Sequence, residues 1–394
     1  MLNPHKSWRK VKFEDVLELI IDHRGKTPKK VGGDWSLKGI PALSAKNIKQ
    51  GRVINENDIR YVNKQLYDKW MPIKLEKDDI LLTSEAPLGE LYYLKEKIDY
   101  CLSQRLFALR ANKSKLDPKY LYYFLKSSLG QHQLHRRISG TAAEGIRQAE
   151  LVQIEIDIPE DIPTQRRIAA ILSAFDDKIE LNNKINQTLE QMAQAIFKEW
   201  FVDFRFPGHE KVKMVDSELG KIPEGWEVRT LGEVLELEYG KALKEENRKP
   251  GKYPVYGSNG QVGWHNEKLV SGPGIIVGRK GNPGYINWSD DDFYPIDTAF
   301  YVVPKKNISM HFIFRILKMQ DFEAIAADSA VPGLNRNMAY MNEIVVPQKK
   351  ILLRFDDLMA SFRKTIKNNL EECHELYSSR DLLLLKLMSG EVRA

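Results

Sequence analysis

Membrane spans, a secretory signal and a disulfide framework are all missing from this sequence of 394 residues. No stretch approaches the ~20 consecutive apolar residues that cross a bilayer, and the segment from Met1 to Trp8 has no apolar signal core. Two cysteines, Cys101 and Cys373, are too few for a disulfide framework or a zinc site. We therefore expect a cytoplasmic protein with no membrane contact.

Catalytic motifs are missing as well. The sequence contains no Gly-x-x-x-x-Gly-Lys-Ser/Thr phosphate loop, no Gly-x-Gly-x-x-Gly fingerprint and no Gly-x-Ser-x-Gly elbow. Asn282-Pro-Gly-Tyr285 differs by one residue from the Asn-Pro-Pro-Tyr loop of amino-methyltransferases, but a tight turn after a strand explains it better. We expect a non-catalytic chain that binds no metal and no cofactor of its own.

Charge is distributed unevenly along the chain. The net charge is +6, from 60 basic and 54 acidic residues, yet residues 1–150 alone hold 28 Lys and Arg against 18 Asp and Glu. Residues 151–205 carry 6 against 10, and residues 206–346 carry 17 against 19. The first block suits a polyanionic partner, although a lysine-rich solubilising surface fits the charge equally well.

The chain contains one long internal repeat, which has to be recognised before the fold can be predicted. Trp8–Leu19 and Trp226–Leu237 share the tryptophan, a Val-Leu-Glu-Leu sequence and the acid before it, at an offset of 218 residues. A later match occurs at offset 195, and Ile156–Pro159 matches Ile344–Pro347 at offset 188. Several matches in the same order indicate a duplication whose second copy has shorter loops.

Each copy has the pattern of an α+β domain that a long helix closes. Short apolar runs bounded by turns predict strands, among them 79–83, 101–110, 274–278 and 299–304. Aromatic-rich segments at 120–125 and 312–317 predict helices that pack on the sheets. The first closing helix has start signals at Pro159, Pro163 and Thr164, ends before Phe206 and carries a seam over roughly 35 residues; a second long helix closes the second copy.

Both closing helices carry an apolar seam that is typical of a coiled coil. In the first helix the seam residues are spaced seven apart: Ile168, Phe175, Asn182, Leu189 and Ile196. Ile171, Ile179, Ile185, Met192 and Trp200 form a second seam line with some slippage. The second helix repeats the pattern with Leu352, Phe355, Met359, Phe362, Ile366, Cys373, Leu376 and Leu383.

A polar residue interrupts each seam near its middle. Asn182 and Asn369 are repeat-equivalent at an offset of 187 residues. Two helices related by a pseudo-two-fold axis can pack antiparallel, so that residues at the midpoint face their own equivalents. We therefore predict that Asn182 and Asn369 lie together at the centre of an antiparallel coiled coil, where a buried asparagine pair fixes register. Asparagines that face solvent are the alternative.

Binding chemistry is concentrated in polar, glycine-turned loops. Gly lets a backbone approach a ligand closely, while Arg, Lys and Asn supply donors for phosphates and base edges. The candidate DNA contacts are Arg24, Lys26, Lys46, Asn47 and Arg147 in the first copy, and Lys241, Ser258, Asn259, Arg279, Lys280 and Arg336 in the second. An ordinary exposed loop explains any one of them equally well, but the set on duplicated domains favours nucleic-acid recognition.

These residues closely resemble the specificity subunit of type I restriction–modification systems over nearly the whole chain. The marks of the resemblance are the loop Asp22–Pro28, the helix opening Pro163–Asn183, the helix end Ile196–Phe201, the entry Leu219–Glu227, the segment Tyr253–Gly260 and the end Leu387–Glu391. The opening of the second helix, Val346–Phe355, departs from the pattern as a degenerate copy of the first. The two contacts with partner subunits are therefore expected to be unequal.

The resemblance implies two pseudo-two-fold-related α/β target recognition domains, joined by two long helices that form an antiparallel coiled coil. Applied to this chain, the domains are residues 1–160 and 206–347, and the spacer helices are 161–205 and 348–394. The implied partners are double-stranded DNA with a split target, two modification subunits, and restriction subunits that translocate DNA. S-adenosylmethionine, ATP and Mg are implied on those partners, for adenine methylation, translocation and cleavage.

Two other functions fit parts of the sequence. A standalone adenine methyltransferase would use Asn282–Tyr285 and would turn over S-adenosylmethionine without a partner. A coiled-coil scaffold without DNA function would show no salt-sensitive binding to duplex DNA. The target bases and the gap between them cannot be read from this sequence.

Overall fold

The computed structural model describes residues 8–138, 145–305, 308–327 and 333–393. The contacts divide the chain into two compact units. The first unit contains the chain up to Leu181 together with the segment from Cys373 onward, and the second unit contains Asn182–Glu372. Among the described residues, no helix is long and apolar enough to cross a membrane.

The first unit is built mainly from short strands. Its strands are β1 Trp8–Lys12, β2 Leu17–Asp22, β3 Ile40–Leu43, β4 Ile48–Lys49, β5 Arg52–Val53, β6 Arg60–Val62, β7 Ile80–Thr83, β8 Leu91–Tyr93, β9 Cys101–Leu102, β10 Leu106–Ala111 and β11 Glu155–Pro159. Its helices are α1 Phe13–Val16, α2 Lys64–Trp70, α3 Pro118–Lys126, α4 Ser128–Arg136, α5 Gln148–Leu151 and the first part of α6 Ile162–Phe197.

The second unit repeats this composition. Its strands are β12 Met214–Ser217, β13 Gly220–Pro223, β14 Glu227–Thr230, β15 Leu235–Tyr239, β16 Tyr253–Gly257, β17 Gly260–His265, β18 Gly274–Gly278, β19 Ile286–Ser289, β20 Tyr294–Pro295, β21 Ala299–Pro304 and β22 Glu343–Val346. Its helices are α7 Leu231–Val234, α8 Met310–Met319, α9 Phe322–Ala327, α10 Arg336–Tyr340 and most of α11 Lys349–Met388. The α+β prediction is thereby confirmed.

The two units share one sheet topology, which supports the duplication inferred from the sequence. The main sheet has the order β2-β10-β7-β8 in the first unit and β15-β21-β18-β19 in the second. A three-stranded sheet accompanies each, β6-β3-β9 in the first unit and β17-β16-β20 in the second, and each contains one parallel pair, β3 with β9 and β16 with β20. The first and last strands of each copy also pair, β1 with β11 and β14 with β22.

Helices cover the main sheet of each unit, as the aromatic segments predicted. Asp117 caps α3 by accepting from the backbone N–H groups of Lys119 and Tyr120, and Pro118 supplies a preset first turn. Ser309 caps α8 in the same way. Their apolar faces join two large cores, one that contains Phe107 and Tyr120 in the first unit and one that contains Phe300 and Phe312 in the second. Cys101 is buried on β9, as expected for a core strand residue.

The long helices α6 and α11 bury most of the predicted seam. Ile168, Asn182 and Ile366 are buried, and Phe175, Leu189, Ile196, Phe362, Asn369 and Leu376 are half-buried. The second seam line of α6 is wrong at three positions, because Ile171, Ile185 and Met192 are exposed. Ile179 of that line is buried as predicted, and Leu172 and Ala193, which the seam did not include, are buried as well. An α-helix has 3.6 residues per turn, so a strict seven-residue spacing drifts around it.

A polar layer lies near the middle of the two long helices. Asn182 donates to Glu372 at 2.7 Å, and Asn369 donates to Asn186 at 2.8 Å. These contacts run antiparallel, as predicted. The two hydrogen bonds lie about one helical turn apart along the helices, so Asn182 and Asn369 belong to one polar layer. Their direct pairing stays a prediction.

Candidate nucleic-acid interface

The candidate residues cluster at one edge of the main sheet in each unit. Along this edge β2 ends, β7 ends and β10 begins in the first unit, while β15, β18 and β21 occupy the same positions in the second. In each unit a later segment of the chain joins this edge through an equivalent backbone hydrogen bond. The Ile146 N–H donates to the Ser84 carbonyl at 2.9 Å, and the Leu334 N–H donates to the Arg279 carbonyl at 2.8 Å.

Arg24 holds the edge of the first unit together. Its guanidinium donates to both carboxylate oxygens of Asp22 and to the Ile146 carbonyl at 2.9 Å. It also lies 4.0 Å from the ring centroid of Phe107. Because these contacts engage both the edge and a face of the guanidinium, Arg24 positions the loop rather than presenting a free cation.

Other cations of the first unit are more accessible. Lys46 and Arg147 are exposed, and among the described residues the Lys46 ammonium makes one long contact, of 3.7 Å, with Asp58. Arg105, which the sequence analysis missed, is exposed beside Glu85 at 3.3 Å, and its left-handed backbone (φ 66°) places it at the start of β10. Lys26 is half-buried and donates to the Trp70 carbonyl at 3.2 Å. Lys46, Arg105 and Arg147 are thus more available to phosphate than Arg24 and Lys26.

Two of the predicted contacts are buried and hydrogen-bonded within the protein. Asn47 is 1% exposed, and its side-chain oxygen accepts from the backbone N–H and the hydroxyl of Ser44. Ser258 is buried, and its hydroxyl donates to the Thr298 carbonyl at 2.8 Å and also contacts the Lys280 carbonyl. Ser44 and Ser258 follow the equivalent strands β3 and β16, but Ser44 bonds within its own loop, whereas Ser258 ties its loop to two distant segments of the chain.

His23 is an unusual buried group at the end of β2. Among the described residues, neither of its ring nitrogen atoms has a hydrogen-bond partner. Burial lowers the pKa of His23 below its usual value, and the nearby Lys26 lowers it further. A neutral ring therefore lies beside the basic loop that follows the strand.

In the second unit an aromatic ring organises the edge. Tyr239 ends β15, and two guanidinium groups lie near its ring, Arg279 at 4.8 Å and Arg336 at 5.0 Å from the centroid. Arg279 donates to the Asp297 carbonyl at 2.9 Å, and Arg336 donates to the Leu237 carbonyl at 3.2 Å. Tyr239 is 46% exposed. Both arginines were predicted from the sequence, but this ring was not, because only the folded strand brings it close to them.

Exposed donors surround this cluster. Lys241, Asn259 and Lys280 are all exposed, and the Lys280 backbone is fixed by its N–H bond to the Thr298 carbonyl at 3.1 Å. Tyr285 is 47% exposed, and Asn287 has a buried side-chain amide nitrogen that lacks a partner among the described residues. Tyr285 and Asn287 are residues that the sequence analysis did not select.

The Asn282–Tyr285 segment forms the turn between β18 and β19. Gly281 and Gly284 flank and occupy this turn with positive φ angles of 85° and 78°. A turn with glycine at positive φ accounts for the sequence without catalysis. Over the described ranges, no group of three or more His, Cys, Asp or Glu side chains is arranged to hold a metal ion.

Comparison with known proteins gives the class of this chain. A model of the family described as "Type I restriction modification DNA specificity domain" matches residues 5–191 and again 223–372. The chain belongs to this family of specificity subunits, the non-catalytic DNA-recognition component of type I restriction–modification systems.

Relatives match along most of the chain. The MjaIX type I restriction enzyme specificity subunit of Methanocaldococcus jannaschii is 27% identical, over 98% of this chain and 94% of that protein. The HindI type I restriction enzyme specificity subunit of Haemophilus influenzae is 25% identical, over 81% of this chain and 87% of that protein. The crystal structure of a type I restriction–modification S subunit from M. genitalium has the same fold, with a TM-score of 0.64, 20% identity and coverage of 98% and 97% of the two chains.

Proposed function

We propose that this chain directs a type I restriction–modification complex to a split DNA sequence, and that the two edges described above read one half each. The observation that carries the proposal is the repetition of one edge in two units of identical strand order, each edge with exposed cations. Lys46, Arg105 and Arg147 would contact DNA in the first unit, and Lys241, Asn259, Lys280 and the Arg279–Tyr239–Arg336 cluster would do so in the second.

The long helices are proposed to bind two modification subunits. Apolar side chains that α6 and α11 leave exposed support this role: Ile171, Leu181, Ile185, Met192, Leu353, Leu370, Tyr377 and Leu382. Exposed apolar residues on a helix are typical of protein-binding surfaces. The modification subunits would carry S-adenosylmethionine and methylate adenine, and restriction subunits would add ATP- and Mg-dependent translocation and cleavage.

The proposal is tested by purifying the chain with its neighbouring modification subunit and mapping methylated adenines in exposed DNA by single-molecule sequencing. Methylation confined to one split sequence supports two readers. Methylation at a continuous site, or a stable complex without methylation, contradicts it. The chain alone serves as the control, since turnover of S-adenosylmethionine by the isolated chain would favour a standalone methyltransferase instead.

The role of the helices in setting the gap has its own test. Inserting one heptad after Lys184 in α6 and one after Glu371 in α11 adds ~10 Å to each helix and keeps its faces in phase. Because base pairs are spaced about 3.4 Å apart, the gap in the methylated sequence should grow by about 3 base pairs while both halves stay unchanged. An unchanged gap would refute the role.

The assignment of one half-target to each unit is tested by exchange. Replacing residues 1–150 with the matching segment of another specificity subunit should change one half of the methylated sequence and leave the other half and the gap intact. A change in both halves would show that the units do not read independently.

A further inference from the structure

In the first unit, helix α6 presents acids to basic partners. Asp176 is largely enclosed by cations, with Lys126 of α3 at 3.0 Å and Arg380 of α11 within hydrogen-bonding distance. Lys95, two residues after β8, binds Asp177 at 3.1 Å and also contacts Glu180. The positions on α6 are therefore acidic, while the sheet domain and α11 supply the bases.

In the second unit, the corresponding contacts have the opposite sign. Arg363 of α11 binds Asp290, two residues after Trp288 on β19, and Lys367 binds Asp291 at 2.6 Å. Glu190 of α6 contacts Arg363 at 3.4 Å and Arg315 of α8 at 2.8 Å. Here α11 is basic, and the loop after the strand is acidic.

These contacts occupy equivalent positions of the duplication. At the offset of 187 residues that relates Asn182 to Asn369, Asp176 corresponds to Arg363 and Glu180 corresponds to Lys367. The strand register gives the equivalence in the loops, because Tyr93 lies opposite Ile80 as Trp288 lies opposite Ile275. Lys95 then corresponds to Asp290, so the duplication has kept charged contacts between the loop after this strand and the long helix, and has inverted the sign of each side.

The inversion determines which helices can pair. If a copy of α6 replaced α11 in the same antiparallel register, Asp176 would take the place of Arg363 and face Glu190. If a copy of α11 replaced α6, Arg363 would take the place of Asp176 and face Arg380. By symmetry each like-charge contact would occur twice in such a pair, and like charges at a helix interface discriminate strongly against it.

We propose that the two halves of this chain select each other by charge: α6 accepts α11 and rejects a second α6, and α11 likewise rejects a second α11. The partner that this surface fits is thus the complementary half of a copy of the same chain. Two identical halves cannot combine, so an assembly with two copies of one sheet domain does not form. This inference does not depend on which bases the protein reads.

The experiment uses the full chain, folded intact and then cut. A protease site is inserted between Glu210 and Lys211, after α6 and before β12, where both residues are exposed. Two cut preparations of different isotopic mass are mixed, exchanged in mild denaturant and returned to low salt. Native mass spectrometry then counts mixed pairs, pairs of two first halves and pairs of two second halves. The unaltered protein is expected to give mixed pairs almost exclusively.

Two substitutions separate charge from shape. Glu190→Lys replaces the repulsion between two first halves with attraction to Asp176, so pairs of two first halves should rise about tenfold. Arg380→Asp should instead raise pairs of two second halves by a similar factor, because the introduced carboxylate would face Arg363 of the other copy. Gln191→Lys, one residue from Glu190 on the exposed side of α6, is the matched control and should change neither.

The test is specific because the two variants should increase different pairs, one the pairs of two first halves and the other the pairs of two second halves. General destabilisation would not produce this opposite pattern. Random assortment in the unaltered protein, or variants that keep its pairing, would overturn the proposal. Melting curves of the uncut variants establish that each folds before cutting. The Glu190 side chain is 38% exposed, so its variant tests the proposal even if the more buried Arg380 variant does not fold.

Discussion

The first and second units have the same strand order but use charge differently at two places. At the sheet edge, the first unit ties its arginine to Asp22, whereas the second places two arginines on an exposed tyrosine ring. At the long helices, the first unit encloses Asp176 among bases, and the second leaves more of its acid, Glu190, in solvent. Strand pairing needs only backbone groups and an apolar face, so a duplicated fold survives while its polar contacts diverge.

The largest expected difference between the units concerns these two acids. Asp176→Ala leaves Lys126 without its carboxylate and the buried Arg380 with Asp381 alone, and should reduce the free energy of unfolding by about 3 kcal/mol. Glu190→Ala in the second unit should cost about 1 kcal/mol, because solvent screens a side chain that is 38% exposed. Urea denaturation of both variants measures the contrast, with the exposed Asp177→Ala as control. Equal losses at 176 and 190 would contradict it.

The two units are also expected to differ in how their stability depends on pH. Burial, together with Arg363, lowers the pKa of His311 on α8 to about 4, while the equivalent region of α3 has the exposed Lys119. In the unfolded chain a histidine has a pKa of about 6.5, and above that pH its ring is neutral in both states and has no effect on stability. As the pH falls from about 6.5 towards 4, the unfolded state binds a proton that the folded state does not, so the free energy of unfolding decreases. His311→Gln should remove roughly 2–3 kcal/mol of acid destabilisation between pH 7 and pH 4. Denaturation midpoints at both pH values measure it, and an unchanged difference would show that His311 is not its source.

A substitution at the edge of the second unit is expected to have a smaller effect, on the affinity for DNA. Tyr239→Ala removes the ring that orients Arg279 and Arg336 and should weaken specific binding by about 1–2 kcal/mol, with relaxed sequence preference in one half-target only. Fluorescence anisotropy of the assembled complex on targets altered in either half measures this. Lys221→Ala, exposed on β13 away from the edge, is the control. Relaxation in both halves would contradict the division of reading between units.

The smallest expected effect is in the first unit. Lys46→Ala removes one exposed cation, so affinity should fall similarly for all sequences, by less than ~1 kcal/mol at physiological salt, and the salt dependence should decrease by about one phosphate contact. Binding titrations across salt concentrations measure the slope. Asn47→Ala is a contrasting variant, because the loss of a buried cap should lower stability rather than the salt slope. A change in base preference on Lys46→Ala would show that this lysine contacts a base edge.

The sequence by itself determined the duplication, the α+β class and the long helices. These features follow from apolar periodicity and matched segments, which are local properties of a chain. It also selected loops that the fold gathers at one edge of each sheet, because glycine-containing turns mark strand ends and neighbouring strands of one sheet end together. The family resemblance, read from motifs such as Asp22–Pro28, agrees with the comparisons.

Only the tertiary structure decided which residues in those loops are free and which helix positions face each other. Arg24 and Asn47 look like donors in the sequence, yet Asp22, Ile146 and Ser44 occupy them. The register of Asn182 and Asn369 also depended on packing, because the total fit of both helices sets it rather than any one pair. Local pattern fixes what each segment is, but partners distant in sequence decide what each polar group is free to bind.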